Sequence, residues 1–137
     1  MPASLICGPG ETLCLMDSGS SVNAAWISKH FPEYEGCVQE TLASRRGETA
    51  TTSGGHALKQ KGKCQVSAII DDHNFSLSFR DMEVEMPILS VRKLVRQHGD
   101  IVFTADGGYI KHRQSGTVIR FHEFDGTYFI KLKVGNP

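Results

Sequence analysis

The chain has 137 residues, of which 39% are hydrophobic and 22% are charged. This size and composition indicate one globular domain, residues 1–137, of ordinary polarity. The 15 basic and 15 acidic residues balance to a formal charge of zero, which argues against a protein dedicated to binding nucleic acid.

The first part of the chain predicts a short strand and then a capped segment. An apolar run predicts a strand over Thr12–Met16. Ser20 or Ser21 is placed to cap a short helix or turn that carries residues 24–27. His30-Phe31-Pro32 ends this segment, because proline restricts the backbone of the residue before it.

Residues 48–62 predict a hairpin, because threonines lead into the tip Ser53-Gly54-Gly55 and the chain then returns. Two strands follow, over residues 65–70 and 74–79. The second strand alternates: Ser76 and Ser78 lie on one face, and the other face carries Phe75, Leu77 and Phe79.

The second half predicts one helix and a series of strands. Residues 86–95 leave the two-residue period and indicate a short helix that His98-Gly99 ends. Strands are predicted over residues 101–104, 109–112, 118–121 and 127–134. The turns between them are Asp106-Gly107-Gly108, Ser115-Gly116 and Asp125-Gly126. The fold class is therefore all-β, with one short helix in the C-terminal half.

Asp17-Ser18-Gly19 carries the main functional signal. It ends the apolar strand, and burying a lone carboxylate costs several kcal/mol or raises its pKa. Such an arrangement is best explained by chemistry. An acidic residue, a small hydroxyl and a glycine after a hydrophobic strand form the pattern of aspartic peptidases. The chain contains it once.

The order of these elements resembles the retropepsins, the dimeric aspartic peptidases of retroviruses and retrotransposons. The protease domains of copia-type retrotransposon polyproteins are the subgroup that the chain resembles most. The resemblance lies in three segments: Asp17 to Ser20, Ile88 to Leu94 with its two basic residues before the leucine, and Gly126 to Tyr128. The similarity covers roughly residues 11–134. It implies a closed acid-protease barrel with one lobe per chain, a catalytic core over 11–100 and additional strands over 101–137.

The resemblance also implies the roles of individual residues. Asp17 is the expected catalytic acid and base, supported by Ser18, whose hydroxyl holds the active-site loops in register, and by Gly19. The hairpin of residues 48–62 matches the flap that closes over substrate. Its expected substrate contacts lie at the tip: Ser53, Gly54, Gly55 and His56.

A single motif predicts a homodimer. Aspartic peptidases need two carboxylates that share one proton, and 137 residues cannot hold a second lobe. The second Asp17 must come from another copy of the chain. The expected function is an aspartic endopeptidase that processes a retrotransposon-type polyprotein, in the cytoplasm or within retrotransposon particles.

Two other functions fit parts of the sequence. Ser90 stands where many retropepsins have glycine, and the C-terminal strands are long, so a non-enzymatic dimerisation or peptide-binding domain is the alternative. A small nucleic-acid module is a weaker one, which the neutral charge opposes.

No cofactor, metal or membrane partner is expected. No segment has the ~18–20 apolar residues of a membrane helix, and the first residues do not have the pattern of a signal peptide. The irregular spacing of the cysteines fits neither a zinc site nor a disulfide framework, and we expect reduced thiols at Cys7, Cys14, Cys37 and Cys64.

Overall fold

A computed structural model describes residues 2–51 and 55–137. Strands hold 49% of the residues and helices 18%, so the prediction of a mainly β fold is confirmed. The strands are β1 (Glu11–Asp17), β2 (Asn23–Ala25), β3 (Thr49–Thr51), β4 (Ala57–Lys59), β5 (Gly62–Ile70), β6 (His73–Asp81), β7 (Ile88–Ser90), β8 (Gly99–Thr104), β9 (Gly107–His112), β10 (Val118–Phe124) and β11 (Thr127–Val134). The helices are α1 (Ile27–His30), α2 (Leu42–Arg45) and α3 (Val91–Gln97), with 3-10 turns at Ala3–Leu5 and Pro32–Cys37.

Six strands close into a barrel in the order β1-β7-β2-β6-β5-β11, and β11 returns to β1. Strand β11 runs antiparallel to β1 along one edge, from Met16↔Tyr128 to Glu11↔Lys133. Its other edge pairs with β10 near Phe129 and with β5 near Lys133. Strands β9 and β8 continue the sheet beyond β10.

The core fills the barrel because the long strands alternate in burial. Every second residue of β5 and β6 is buried, which confirms the alternation predicted for Phe75, Leu77 and Phe79. Strand β11 adds Ile130 and Leu132 to the same cluster. None of the helices in the described ranges has the length and apolar character needed to cross a membrane.

Two local predictions are wrong. Residues 23–25 form strand β2 rather than the start of a helix, because β2 lies between β6 and β7 and pairs with both. All three of its residues are buried, so no period is visible in the sequence. Gly107 and Gly108 belong to β9 rather than to a turn, since the chain reverses one residue earlier.

The hairpin forms as predicted in the described residues. The late helix forms only in part, because Ile88–Ser90, inside the predicted range 86–95, pair with β1 as strand β7. Strands β3 and β4 pair antiparallel from Thr49↔Lys59 to Thr51↔Ala57. At their tip, Ser53 and Gly54 lie outside the described residues. Gly55 has a φ of +81°, the conformation that favours glycine. Helix α3 begins after Ser90 and ends at His98.

Candidate active site

Asp17 is the last residue of β1, a strand held between β7 and β11. Its parallel partner in β7 is Ser90. Met16, just before it, is buried in the core, whereas Asp17 is half-buried and Ser18 is exposed. The carboxylate is therefore fixed at the barrel end by a paired strand on each side, and it still reaches solvent.

Asp17 also organises the loop that follows it. The backbone N–H of Gly19 donates to Asp17 Oδ1 at 2.8 Å. A Cβ added at Gly19 would lie 3.4 Å from the same oxygen, so the carboxylate lies over the open face of the glycine. The hydroxyl of Ser20 then donates to the carbonyl of Val22 at 2.6 Å and tightens the turn. The motif thus forms a compact loop in which a backbone donor holds one oxygen of the carboxylate.

Two buried polar residues anchor this loop from below. Ser90 Oγ donates to the carbonyl of Ser20 at 2.6 Å, and the Ser90 N–H donates to Asn23 Oδ1 at 2.8 Å. Asn23 Nδ2 in turn donates to the carbonyl of Ser78 on β6. Sequence reasoning treated Ser90 as a departure and missed Asn23. An isolated Asn in a short strand carries no signal without the pairing of β2 with β6 and β7.

A cleft of about 370 Å³ opens beside Asp17. It is lined by the loop from Gly19 to Val22 and by Ala50 and Thr51 of the hairpin. The floor is apolar: Ala24, Met82, Val84 and Ile88. The cleft therefore combines polar residues of the loop with an apolar floor, and its lining contains one carboxylate.

The hairpin packs onto the floor of this cleft through a small apolar cluster. Ala50 and Leu58 lie against Met82 and Val84. Gly55 and His56, both exposed, do not line the cleft. The structure thus brings the base of the predicted flap to Asp17, while the predicted contacts at Ser53 and Gly54 lie outside the described residues.

The cysteines do not supply an alternative nucleophile at this site. All four are free thiols, and none lines the cleft. Burial raises the pKa of Cys14 and of Cys64 well above the ordinary value, and it also raises the pKa of Cys7. A thiol with a raised pKa is a weak nucleophile at neutral pH. Across residues 2–51 and 55–137, no three His, Cys, Asp or Glu side chains cluster as metal ligands.

Asp17 is the one carboxylate among the cleft-lining residues of the described chain. A single carboxylate can accept one proton, but it cannot act as acid and base at once. Comparisons of the chain with protein-family models, with curated proteins and with solved structures found no match. The barrel and its cleft therefore define the site by geometry alone: a half-buried aspartate at a strand end, facing a hairpin.

Proposed function

We propose that the protein is an aspartic endopeptidase, active as a homodimer, that hydrolyses peptide bonds of a retrotransposon-type polyprotein. One observation carries the proposal. Asp17 lies at the end of a barrel strand, with a backbone donor on Oδ1, in the lining of a cleft to which Ala50 and Thr51 of the hairpin also contribute.

The homodimer follows from the count of carboxylates. The cleft of one chain offers Asp17 alone. Two-fold symmetry places a second Asp17 opposite the first when the open sides of two clefts meet. Ser18, exposed beside Asp17, is positioned to contribute its hydroxyl to such a contact.

Each Asp17 has a distinct role in the proposed reaction. Two carboxylates at close range cannot both ionise, so the pair holds one shared proton, as in aspartic proteases generally. The ionised member takes a proton from water, which attacks the peptide carbonyl. The protonated member donates to the carbonyl oxygen, and a tetrahedral intermediate forms without a covalent bond to the enzyme.

The hairpin supplies the substrate-binding edge of the proposed site. In the part of the chain that the structure describes, strands β3 and β4 pair only with each other, so their outer edges can bond the main chain of an extended peptide. The apolar floor accepts hydrophobic side chains next to the cleaved bond. A cytoplasmic location, or one within retrotransposon particles, belongs to this proposal.

The test is cleavage of a peptide library between pH 4.5 and 7.5 by wild-type protein and by Asp17→Asn. We expect cleavage by the wild type and a loss of at least ~10³-fold in the variant, because a carboxamide cannot act as the base. Asp106→Asn, in an exposed turn, is the matched control and should keep full activity. Cleavage that survives Asp17→Asn would refute the assignment.

Subunit mixing tests the dimer separately. Adding an equal amount of Asp17→Asn chain should lower the total wild-type activity by about half, because only one dimer in four keeps both carboxylates. Unchanged activity would mean that one chain acts alone. A confirmed dimer that binds a pepstatin-type inhibitor without cleaving any peptide would instead favour the non-enzymatic peptide-binding domain.

A further inference from the structure

A second cleft, which we call the cationic cleft, lies beside the loop that follows Asp17. It has a volume of about 310 Å³ and is lined by Ser21, Val22, Arg92, Lys93 and Arg96. All three cations belong to α3. Arg92 and Arg96 are four residues apart and share one face of the helix.

The positive charge of this cleft is not neutralised within the described part of the chain. The ion pairs of the described residues join Arg45 to Glu40, Lys61 to Glu83, and Lys131 to Glu11, and none of them involves a residue of this cleft. No acidic residue lines the cationic cleft. The guanidinium of Arg113 adds a further cation at the end of α3, where it donates to the Val95 carbonyl at 2.7 Å. Because the whole chain is neutral, this excess is local.

The cationic cleft continues from the cleft of Asp17. Ser21 and Val22 line both. The buried hydrogen bond from Ser90 Oγ to the carbonyl of Ser20 fixes this shared segment to the start of α3. The cations are therefore held at a set position relative to Asp17, rather than carried on an independent loop.

We infer that the cationic cleft binds acidic side chains of the substrate, a few residues away from the cleaved bond. This inference rests on the proposed peptidase function. A peptide bound in extended form advances ~3.3 Å per residue, so its chain passes from the cleft of Asp17 over Ser21 and Val22 toward α3. Arginine side chains bind carboxylates through paired hydrogen bonds, and a Glu or Asp in that part of the substrate would meet Arg92 or Arg96.

A peptide fits the cationic cleft better than a nucleic acid does. Nucleic-acid sites follow a phosphate backbone with an extended track of cations and accompany a basic net charge. Here three cations line one pocket of a neutral chain, directly beside the groove proposed for peptide. The same residues would give the enzyme a preference for polyprotein junctions with an acidic flank.

The test uses pairs of peptides that differ by Glu or Gln at one position, scanned along both sides of a cleaved sequence. At low salt we expect kcat/KM to favour Glu roughly tenfold at one or two outer positions, the combined effect of exposed charge pairs. The preference should shrink as salt rises, because exposed charges are screened. In Arg92→Gln/Arg96→Gln the Glu-to-Gln ratio should fall toward one.

The matched control is Arg46→Gln/Lys133→Gln, which removes two exposed charges elsewhere and should keep the wild-type ratio. Equal cleavage of the Glu and Gln peptides by the wild type would overturn the inference and leave the peptidase function standing. If no peptide is cleaved, the peptidase proposal fails, and fluorescence anisotropy of the same labelled peptides decides the inference. Weaker binding of the Glu peptide to Arg92→Gln/Arg96→Gln than to wild type supports it, and equal binding overturns it.

Two further outcomes would overturn the inference. The first is that the wild type binds a single-stranded RNA more tightly than it binds the Glu peptide, and that Arg92→Gln/Arg96→Gln no longer binds this RNA. The cleft would then be a phosphate site. The second is a wild-type dimer that this variant converts to monomers in sedimentation, because the cations would then belong to the subunit contact.

Discussion

Ser90 is fully buried, and both its hydroxyl and its N–H have hydrogen-bond partners. Its hydroxyl donates to the Ser20 carbonyl and accepts from the N–H of Lys93 at the start of α3, while its own N–H donates to Asn23. A glycine at this position would keep only the backbone bond. The serine is therefore a structural link between the loop of Asp17 and α3.

Replacing Ser90 by Ala should lower the free energy of unfolding by about 1–2 kcal/mol, because the change removes a helix cap and leaves the Ser20 carbonyl without its donor. Urea denaturation measures this. Ser28→Ala, at an exposed helical serine, is the control and should change stability by less than ~0.5 kcal/mol. Equal effects of the two substitutions would show that the buried hydroxyl contributes nothing.

Two histidines, His30 and His98, have pKa values lowered by their surroundings. His30 Nδ1 accepts from the N–H of Trp26 at 3.1 Å, and its Nε2 lies 2.9 Å from the carbonyl of Glu85, so both ring nitrogens have partners when the ring is neutral. Burial lowers the pKa of His30, and burial with nearby positive charge lowers the pKa of His98. His98 Nε2 is buried without a hydrogen-bond partner in the described ranges.

Stability should therefore fall as the pH drops below ~6.5, the pKa of an unfolded histidine. In this range the unfolded chain binds protons that the folded chain excludes, and the loss continues until the folded pKa values are passed. Urea denaturation at pH 7.5, 6.5 and 5.5 measures the effect. His30→Asn should flatten the slope, whereas His56→Asn, at an exposed loop residue, should not. A stability that rises on acidification would contradict the pKa directions.

At the level of elements, the strands and turns that could be predicted from the sequence are those marked by a pattern of neighbouring residues. Strand β6 alternates because one of its faces lies in the core, and the β3–β4 hairpin is marked by its threonines and glycines. Strand β2 was missed because its burial comes from neighbours distant in sequence, β6 and β7.

The residues of the candidate site also fall into those that a local pattern predicts and those that it does not. Asp17-Ser18-Gly19 is a local motif, whereas Asn23 and the cleft-floor residue Met82 are brought to it only by the barrel.

Gly107 and Gly108 resemble a turn in the sequence but lie within strand β9. Gly107 and Gly108 have φ values of +151° and +155°, and they pair with β10 and β8. A Cβ on Gly108 would fall on the carbonyl oxygen of Val102 and on the ring of Phe121. The glycines thus allow neighbouring strands and an aromatic ring to approach closely.

Gly108→Ala should destabilise the protein by about 3 kcal/mol, since it adds both backbone strain and a clash that the neighbouring strands cannot relieve. Thermal and urea unfolding measure the change. Gly36→Ala is the control, because a Cβ there meets nothing within 4 Å and the backbone is not left-handed. It should stay within ~0.5 kcal/mol of wild type. A neutral Gly108→Ala would mean that β9 can shift away from its neighbours.

At the level of the whole molecule, the barrel depends on its last strand. Strand β11 joins β1 to β5, and it buries Ile130 and Leu132 in the core. Tyr34 OH donates to the carbonyl of Gly135 just after the strand, at 2.8 Å. The C-terminal strands are thus part of the unit that positions Asp17.

A chain that ends at residue 124 should lose cooperative unfolding, because removing two buried aliphatic side chains alone costs about 4–10 kcal/mol, comparable to the stability of a whole domain. Circular dichroism and urea denaturation measure the loss. A chain that ends at Gly135 is the control and should unfold like wild type. A cooperative transition in the shorter chain would show that residues 1–124 carry the fold without β11.

If the protein is the proposed peptidase, the antiparallel pairing of β1 with β11 also limits how it could cut itself out of a longer chain. Glu11 and Lys133 are partners at one end of the barrel, whereas Asp17 lies at the other end of β1. Seven extended residues span ~20 Å. A junction beyond either end of the barrel therefore reaches its own Asp17 only across a spacer of about six or more extended residues. With shorter spacers, the proposed release would have to occur in trans, by a different dimer, and its rate would rise with protein concentration.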